Sequence, residues 1–488
     1  MQWLLAAMIV VPLVGGIALS LIPVSLSRFV RPAALVLSGA VLAASAWLWY
    51  SFDATAGGMQ FELNLPWIPG LNTAFHLGVD GLALPMVFLT ALLTVLAVVA
   101  SRSIDDRVGQ YFTLLLMLEA GLMGVFVSLD LILFYLFWEV VLIPMYFLIS
   151  IWGGANRSYA ALKFFIYTLA GSLAMLGGII ALYLATGAKT FDMLQIAQQS
   201  AVLPRSVQIA IFIAIAVGLA VKVPIFPLHT WLPDAHVEAP TAVSVLLAGV
   251  LLKMGSYGFM RLGPTLLPEG FKALLPLLAI LAVISIVYGA AVALMQTDMK
   301  KIVAYSSISH MGYVMLGIAA GTTAGFLGAQ VQMFSHGLIA GLLFLLVGTV
   351  YERTHTREIS AFGGIAKVVP ILAGTMVFAA FASLGLPGMS GFIGEFMVIV
   401  GAIQPYTVYA VIAAFAVILT VGYLLWMVRR VAFGPLNKDR ADMKDLTLSE
   451  GLSMAPLCLL IVFVGVYPQA LIGVMSTSVE ALARLVGR

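Results

Sequence analysis

Apolar residues run along this chain in long continuous blocks separated by short polar connections, with none of the strict alternation that marks barrel strands. A bilayer core about 30 Å thick is crossed by about 20 apolar residues in a helix. Blocks of that kind recur fourteen times, at 3–23, 31–51, 80–100, 111–129, 131–152, 162–186, 207–236, 240–262, 273–295, 302–320, 329–350, 368–402, 408–431 and 452–475. A helix satisfies its own backbone in oil. The pattern therefore predicts an all-α integral membrane fold of about fourteen transmembrane helices.

Two blocks are too long for one straight helix. At 1.5 Å per residue the stretch 207–236 would reach about 45 Å, and it carries Pro224, Pro227 and Pro233. Pro224 has no amide hydrogen to offer the carbonyl of Ala220, so a break is predicted two residues after Lys222. The stretch 368–402 is interrupted in the same way by Gly385, Pro387, Gly388 and Gly391. The two breaks sit in matching register within spans 4–8 and 9–13. An odd number of spans per unit turns the second copy over, so two inverted five-helix repeats are expected, a recurring transporter design. The chain then divides into three N-terminal spans (1–110), a first repeat (111–262), a second repeat (273–431) and a C-terminal span with its tail (452–488), all in one membrane domain, 1–488. Two unrelated proline kinks are the alternative.

Composition agrees with burial in lipid: 62% of residues are hydrophobic and 9% charged, where a soluble domain carries about 25% charge. The net charge is +3 with basic residues scattered among the connections, which excludes a nucleic-acid surface. The single cysteine, Cys458, excludes an intrachain disulfide. The N-terminal block lacks the basic start of a secretory signal and is expected to be a retained span. Odd-numbered connections hold 16 Lys and Arg residues, while even-numbered ones hold only Lys189, Arg205, Arg261 and Lys272. Positive charge stays in the cytoplasm, so both termini are expected outside, as is the basic-free loop 52–79.

Against this background, four ionisable residues stand deep in apolar blocks: Glu139, Lys222, Lys253 and Glu395. Each costs about 2.5–3.5 kcal/mol at the membrane centre, so four oppose insertion by roughly 10 kcal/mol unless paired or hydrated. Leaving water disfavours the charged form of each, which suits groups that exchange protons; static ion pairs are the alternative. Glu119 is a fifth buried charge, equally read as a contact to another helix or subunit. Ser306, Ser307, His310 and Tyr313 share one helix face, and Gln332 and His336 share another. These suit a relay from Lys253 toward Glu395, or ordinary helix contacts. His229, Asp234, His236 and Glu238 match no zinc spacing, so no metal site is expected, and no nucleotide-binding motif or catalytic nucleophile elbow is present.

The run VKVPIFPLHTWLPDAHVEAPTAVSVLLAGVLLKMG, with FFIYT at 164–168, YSSISHMGYV at 305–314 and GLPGMSGFIGEF at 385–396, resembles the antiporter-like subunits of respiratory complex I across nearly the whole chain. The FWE segment leading into PMYFL, Glu rather than Lys at 395, and the absence of a long extension after the last span are similar to chain M of that family, called chain 4 in mitochondria. The resemblance implies a pair, Glu139 and Lys222, whose separation sets the lysine's proton affinity. It further implies Lys253 as the carrier inward, Glu395 as the terminal carrier, His310 and His336 on the central axis, and Lys163 as a further basic residue of the family. It also implies other membrane-arm subunits as partners in a bacterial inner membrane. FMN, iron–sulfur clusters and quinone would lie in partner subunits, with no cofactor in this chain. Related multisubunit Na+/H+ antiporters and membrane-bound hydrogenases share these features.

Overall fold

The computed structural model describes residues 2–487. Four helices open the chain: α1 (Leu4–Ser20), α2 (Val30–Ser51), α3 (Ala83–Ala100) and α4 (Val108–Val127). Then follow α5 (Leu131–Val140), α6 (Leu142–Trp152), α7 (Arg157–Ala185), the short α8 (Met193–Ser200), α9 (Arg205–Lys222) and α10 (Trp231–Glu238). The middle of the chain forms α11 (Thr241–Leu246), a π-turn at Leu247–Leu251, α12 (Leu252–Leu266), α13 (Pro268–Leu294), α14 (Met299–Ala320) and α15 (Thr323–Thr354). The C-terminal part comprises α16 (Pro370–Ser383), α17 (Ser390–Ile403), α18 (Thr407–Ala432), α19 (Leu448–Val466) and α20 (Gln469–Val486).

Thirteen helices among the described residues are long and apolar enough to cross a membrane, and Leu4–Ser20, Pro370–Ser383 and Ser390–Ile403 are shorter apolar helices. The centre of the bundle is α11–α12, α14 and α15, whose apolar windows are 94–100% buried, whereas that of α7 is 39% buried and presents Leu162, Ile166, Leu173 and Ile180 outward. Helices that are apolar all round belong in such an interior or against lipid.

Both expected breaks are present. The Ala220 carbonyl is not orphaned: Ile225 N–H donates to it at 3.1 Å, and Trp231 Nε1 donates to Val221 O at 3.0 Å. Between α16 and α17 the chain turns through Gly385 (φ +80°) and Gly388 (φ +91°), backbone that strains any L side chain.

Two expectations require correction. The expected span 452–475 runs through a real break: α19 ends at Val466, because Pro468 disfavours helical geometry in Tyr467, and the expected tail is α20. The buried residues of α20, Leu471, Met475, Val479, Leu482 and Val486, form one face. Thr477 Oγ1 donates to Ala54 O, and Ser478 Oγ accepts from Gly81 N–H, so α20 packs along the 52–81 connection. That loop contains a small hairpin, which leaves the expected all-α membrane fold in place. Gln60–Ile68 (β1) and Thr73–Val79 (β2) pair antiparallel, with Asn64 opposite His76. Finally, Arg261, Lys163 and Lys300, counted with the connections, lie within helices, and Arg261 and Lys300 are buried.

The hairpin is fastened by charge. His76 on β2 lies 2.6 Å by Nδ1 from Asp192 Oδ2 and 3.1 Å by Nε2 from Glu62 Oε2. Burial pushes its pKa down, but the hydrogen bonds and charges of Asp192 and then Glu62 outweigh it and hold the imidazole above its ordinary 6.5. A raised folded-state value makes this stabilisation complete below about 6.5, and it is lost as pH climbs through the folded value. Amide protection factors over 60–79, corrected for intrinsic exchange, should fall as pH rises above 6.5. In His76→Asn that decline should vanish; protection in the wild type that stays flat with pH would contradict the fastening.

Candidate functional site

A helix places its backbone groups out of reach of side chains, so a charge at mid-membrane is easier to hold where the helix is interrupted. Three of the four charges stand at such points; Lys222, Lys253 and Glu395 are buried and Glu139 is half-buried. Glu139 is two residues before Val141, where α5 gives way to α6; Pro144 withholds the amide that the Val140 carbonyl would have used. Lys222 is the last residue of α9. Lys253 is two residues past the π-turn and donates to the Ala248 carbonyl inside it at 2.5 Å.

From Lys253 a row of titratable groups crosses the bundle. Its Nζ lies 2.6 Å from His336 Nδ1 on α15. The His336 and His310 rings are 5.6 Å apart, centroid to centroid. A small cavity of ≈ 10 Å³, about the least that admits one water, is lined by both histidines together with Ser306, Gln332 and Ser383. His310 Nδ1 on α14 lies 2.7 Å from Glu395 Oε1 on α17, and its Nε2 lies 3.2 Å from Ser383 Oγ at the end of α16. Gln332 Nε2 donates to the same Glu395 oxygen at 3.1 Å. Lys253, His336, His310 and Glu395 are all buried, so this row runs within the protein.

The first pair is arranged differently. The Lys222 ammonium lies over the Trp138 and Phe164 rings, 5.4 and 5.8 Å from their centroids, a cation–π cradle. Among the described residues no ion pair joins it to Glu139, whose Oε1 has no hydrogen-bond partner. The two charges are nevertheless close enough to act on one another, and Glu139 also interacts with Tyr135 one turn earlier. No hydrogen bond is found between Lys222 and Lys253; their helices touch where Gly255 of α12 faces Leu219 and Val223.

Other expected residues fall outside the row. Tyr313 donates to Ala413 O on α18, and Ser307 bonds back to Val303 O of its own helix. Lys163 makes an ion pair with Asp234, 2.6 Å away, at the edge of a polar cavity of ≈ 380 Å³ that includes Asp234, Glu238 and Arg357. Both carboxylate oxygens of Glu119 are buried without a partner. Asp234, His236 and Glu238 diverge: Glu238 accepts from Asn156 N–H, and His236 stacks on Phe344 with centroids 4.6 Å apart. No group of three or more metal-ligating side chains exists among the described residues.

Sequence reasoning missed the π-turn and a buried Arg261–Asp80 ion pair. The π-turn contains no proline to betray it, and Asp80 is distant in sequence from Arg261. The break after Glu139 was marked by Pro144.

Residues 128–420 match the family model described as NADH:quinone oxidoreductase/Mrp antiporter, transmembrane. The chain is 46% identical to NADH-quinone oxidoreductase subunit M of Rhodobacter capsulatus, over 89% of this chain and 86% of that one. It is 40% identical to F(420)H(2) dehydrogenase subunit M of Methanosarcina mazei, over 91% of each. Among solved structures it matches respiratory complex I from Thermus thermophilus with bound NADH at a TM-score of 0.90 and 33% identity, covering 99% of this chain and 100% of that one. The Mrp complex from Dietzia shares the fold at a TM-score of 0.88 and 21% identity, with 99% and 97% covered. With its buried row of Lys, His and Glu threading a twice-broken helical bundle, the chain belongs to the NADH:quinone oxidoreductase/Mrp antiporter transmembrane family, and within it to the subunit M type.

Proposed function

We propose that this chain is the subunit M of an NADH:quinone oxidoreductase and translocates protons through its buried Lys, His and Glu residues. The observation that carries this reading is the row Lys253–His336–His310–Glu395, with contacts of 2.6 and 2.7 Å flanking two rings 5.6 Å apart. Lysine, histidine and carboxylate each release and accept a proton, and the cavity between the histidines supplies the space for one transfer. Glu139 and Lys222 act upstream: a conformational or electrostatic change in a neighbouring subunit alters their separation, and the proton held at Lys222 passes toward Lys253. Lys163 and Glu119 are subsidiary candidates.

Moving one charge outward against 100 mV costs about 2.3 kcal/mol, and this chain holds no group that supplies it. The work comes from redox chemistry in partner membrane-arm and peripheral subunits, where FMN, iron–sulfur clusters and quinone belong. The bacterial subunit M relatives support an inner-membrane placement, and the excess of Lys and Arg in odd-numbered connections supports both termini outside. The two breaks at matching register support inverted repeats over 111–262 and 273–431, with the row spanning their boundary. The 40% identity to an F(420)H(2) dehydrogenase subunit favours one alternative, the same proton-handling chain serving a different electron donor; the redox partners that copurify separate the two.

In the assembled complex, Glu139→Gln and Lys222→Ala should each cut the proton-to-electron ratio sharply while leaving electron transfer to an artificial acceptor intact. An unchanged ratio in both refutes the assignment.

A further inference from the structure

Lys253 heads a second polar line that the transport row does not use. Lys253, Tyr257 and Arg261 stand four residues apart on α12 and so share one face, which leads from mid-membrane toward the end of α12 at Leu266. All three are buried. Arg261 Nη2 pairs with Asp80 Oδ1 at 2.5 Å, and Arg261 Nε donates to Tyr257 Oη at 3.0 Å. Tyr257 Oη donates its only proton to Phe126 O at 2.8 Å. The guanidinium also lies 5.3 Å from the centroid of the Tyr257 ring. Asp80 is held in turn by Leu82 N–H and Ala83 N–H at the start of α3.

Such a line invites protons to run back from outside to Lys253, and its hydrogen-bond polarity forbids it. A guanidinium stays protonated at any cellular pH and has no lone pair to accept with. The tyrosine hydroxyl receives its hydrogen bond from that permanent donor and spends its own proton on a backbone carbonyl. A proton hop through a chain of groups needs each link both to accept and to release; here the outermost link does neither. The buried positive charge also repels an incoming cation, as fixed arginines do in selective pores.

We infer that Arg261, anchored by Asp80 and Tyr257, is a proton-tight seal at the outer end of α12 that prevents backflow onto Lys253. The inference rests on the reading of Lys253 as a proton carrier and on the outward placement of this end. Arg261 is a positioning and insulating residue; it carries no proton itself.

The test uses the intact complex in sealed liposomes, driven by NADH and a short-chain quinone. Arg261→Gln should oxidise NADH at an undiminished rate yet hold a smaller pH gradient, which should collapse several-fold faster once NADH is exhausted. In the double variant Arg261→Gln/Lys253→Met the gradient collapse should return to the wild-type rate, because the leak enters the axis at Lys253. An Arg261→Gln complex that holds its gradient as well as wild type overturns the inference, and so does a double variant that leaks like the single one, which would mark damaged packing. Should Arg261→Gln fail to assemble, Asp80→Asn releases the guanidinium while keeping the helix cap; it should also leak faster, and a wild-type leak rate in it overturns the inference. Lys253→Met alone separates the two readings. Normal pumping in it removes the underlying reading, whereas blocked pumping alongside a leak-tight Arg261→Gln removes only the seal.

Discussion

Lys253→Met should reduce proton translocation through this subunit by roughly 100-fold. The side chains are similar in length and methionine packs readily in apolar surroundings, so the ammonium beside His336 is the main thing lost. Without it the transferred charge must cross the centre of α12 unaccompanied. An unsupported central charge costs about 3 kcal/mol, and each 1.36 kcal/mol on a barrier is tenfold in rate. Lys253→Arg tests the same point from the other side. Arginine keeps the positive charge and can still bond the Ala248 carbonyl, but it does not give up its proton. If Lys253 only neutralises or braces the bundle, Lys253→Arg should pump normally; if it carries protons, Lys253→Arg should be blocked almost as fully as Lys253→Met. The ratio of protons moved to electrons transferred, measured in assembled complexes, distinguishes them, and a fully active arginine variant would end the carrier reading.

Gly401→Leu should prevent assembly of the subunit or destabilise it by about 3 kcal/mol, the upper end of what overpacking costs. The Glu395-bearing α17 lies backbone to backbone on α15. A Cβ at Gly401 would come within 2.3 Å of Gly325 N and 2.6 Å of Gly325 Cα, and one at Gly328 within 2.5 Å of Val398 N. At Gly394 the nearest atoms include Gln332 N and Cα at 2.8 Å. Backbone atoms have nowhere to retreat, and in lipid, close approach of small residues is what drives helices together. The control is Gly374→Leu on α16, where no atom lies within 4 Å and assembly should be normal. Native-gel yield and thermal stability of the extracted complex report both; a Gly401→Leu complex with wild-type yield and melting behaviour would show that the interface yields in a way this geometry does not allow.

Much of this arrangement was legible in the residues. Length and apolarity marked the spans, because only a helix closes its hydrogen bonds in oil. Proline and glycine marked the breaks at 224 and 387, because one lacks a donor and the other tolerates positive φ. The proximity of His310 to Glu395 was anticipated from chemistry, but its 2.7 Å contact was not, since nothing local ties α14 to α17. The π-turn before Lys253 packs against α3 and α15, where Gly249 meets Leu93, and leaves no compositional trace. Two misses had signals that were available. Pro468 announced the end of α19, and the stretch around Gly70 and Asn72, whose φ is +54°, announced the tip of the hairpin.

Where Lys253 bonds to the widened turn before it, a side chain and a backbone irregularity share one donor group. The ammonium donates to the Ala248 carbonyl and lies beside His336 Nδ1, and a lysine that has lost one of its three protons still has two N–H groups to give. One of them can go on serving the carbonyl, so the widened turn keeps a partner in either protonation state and the nitrogen stays moored beside the histidine through each cycle of loss and gain.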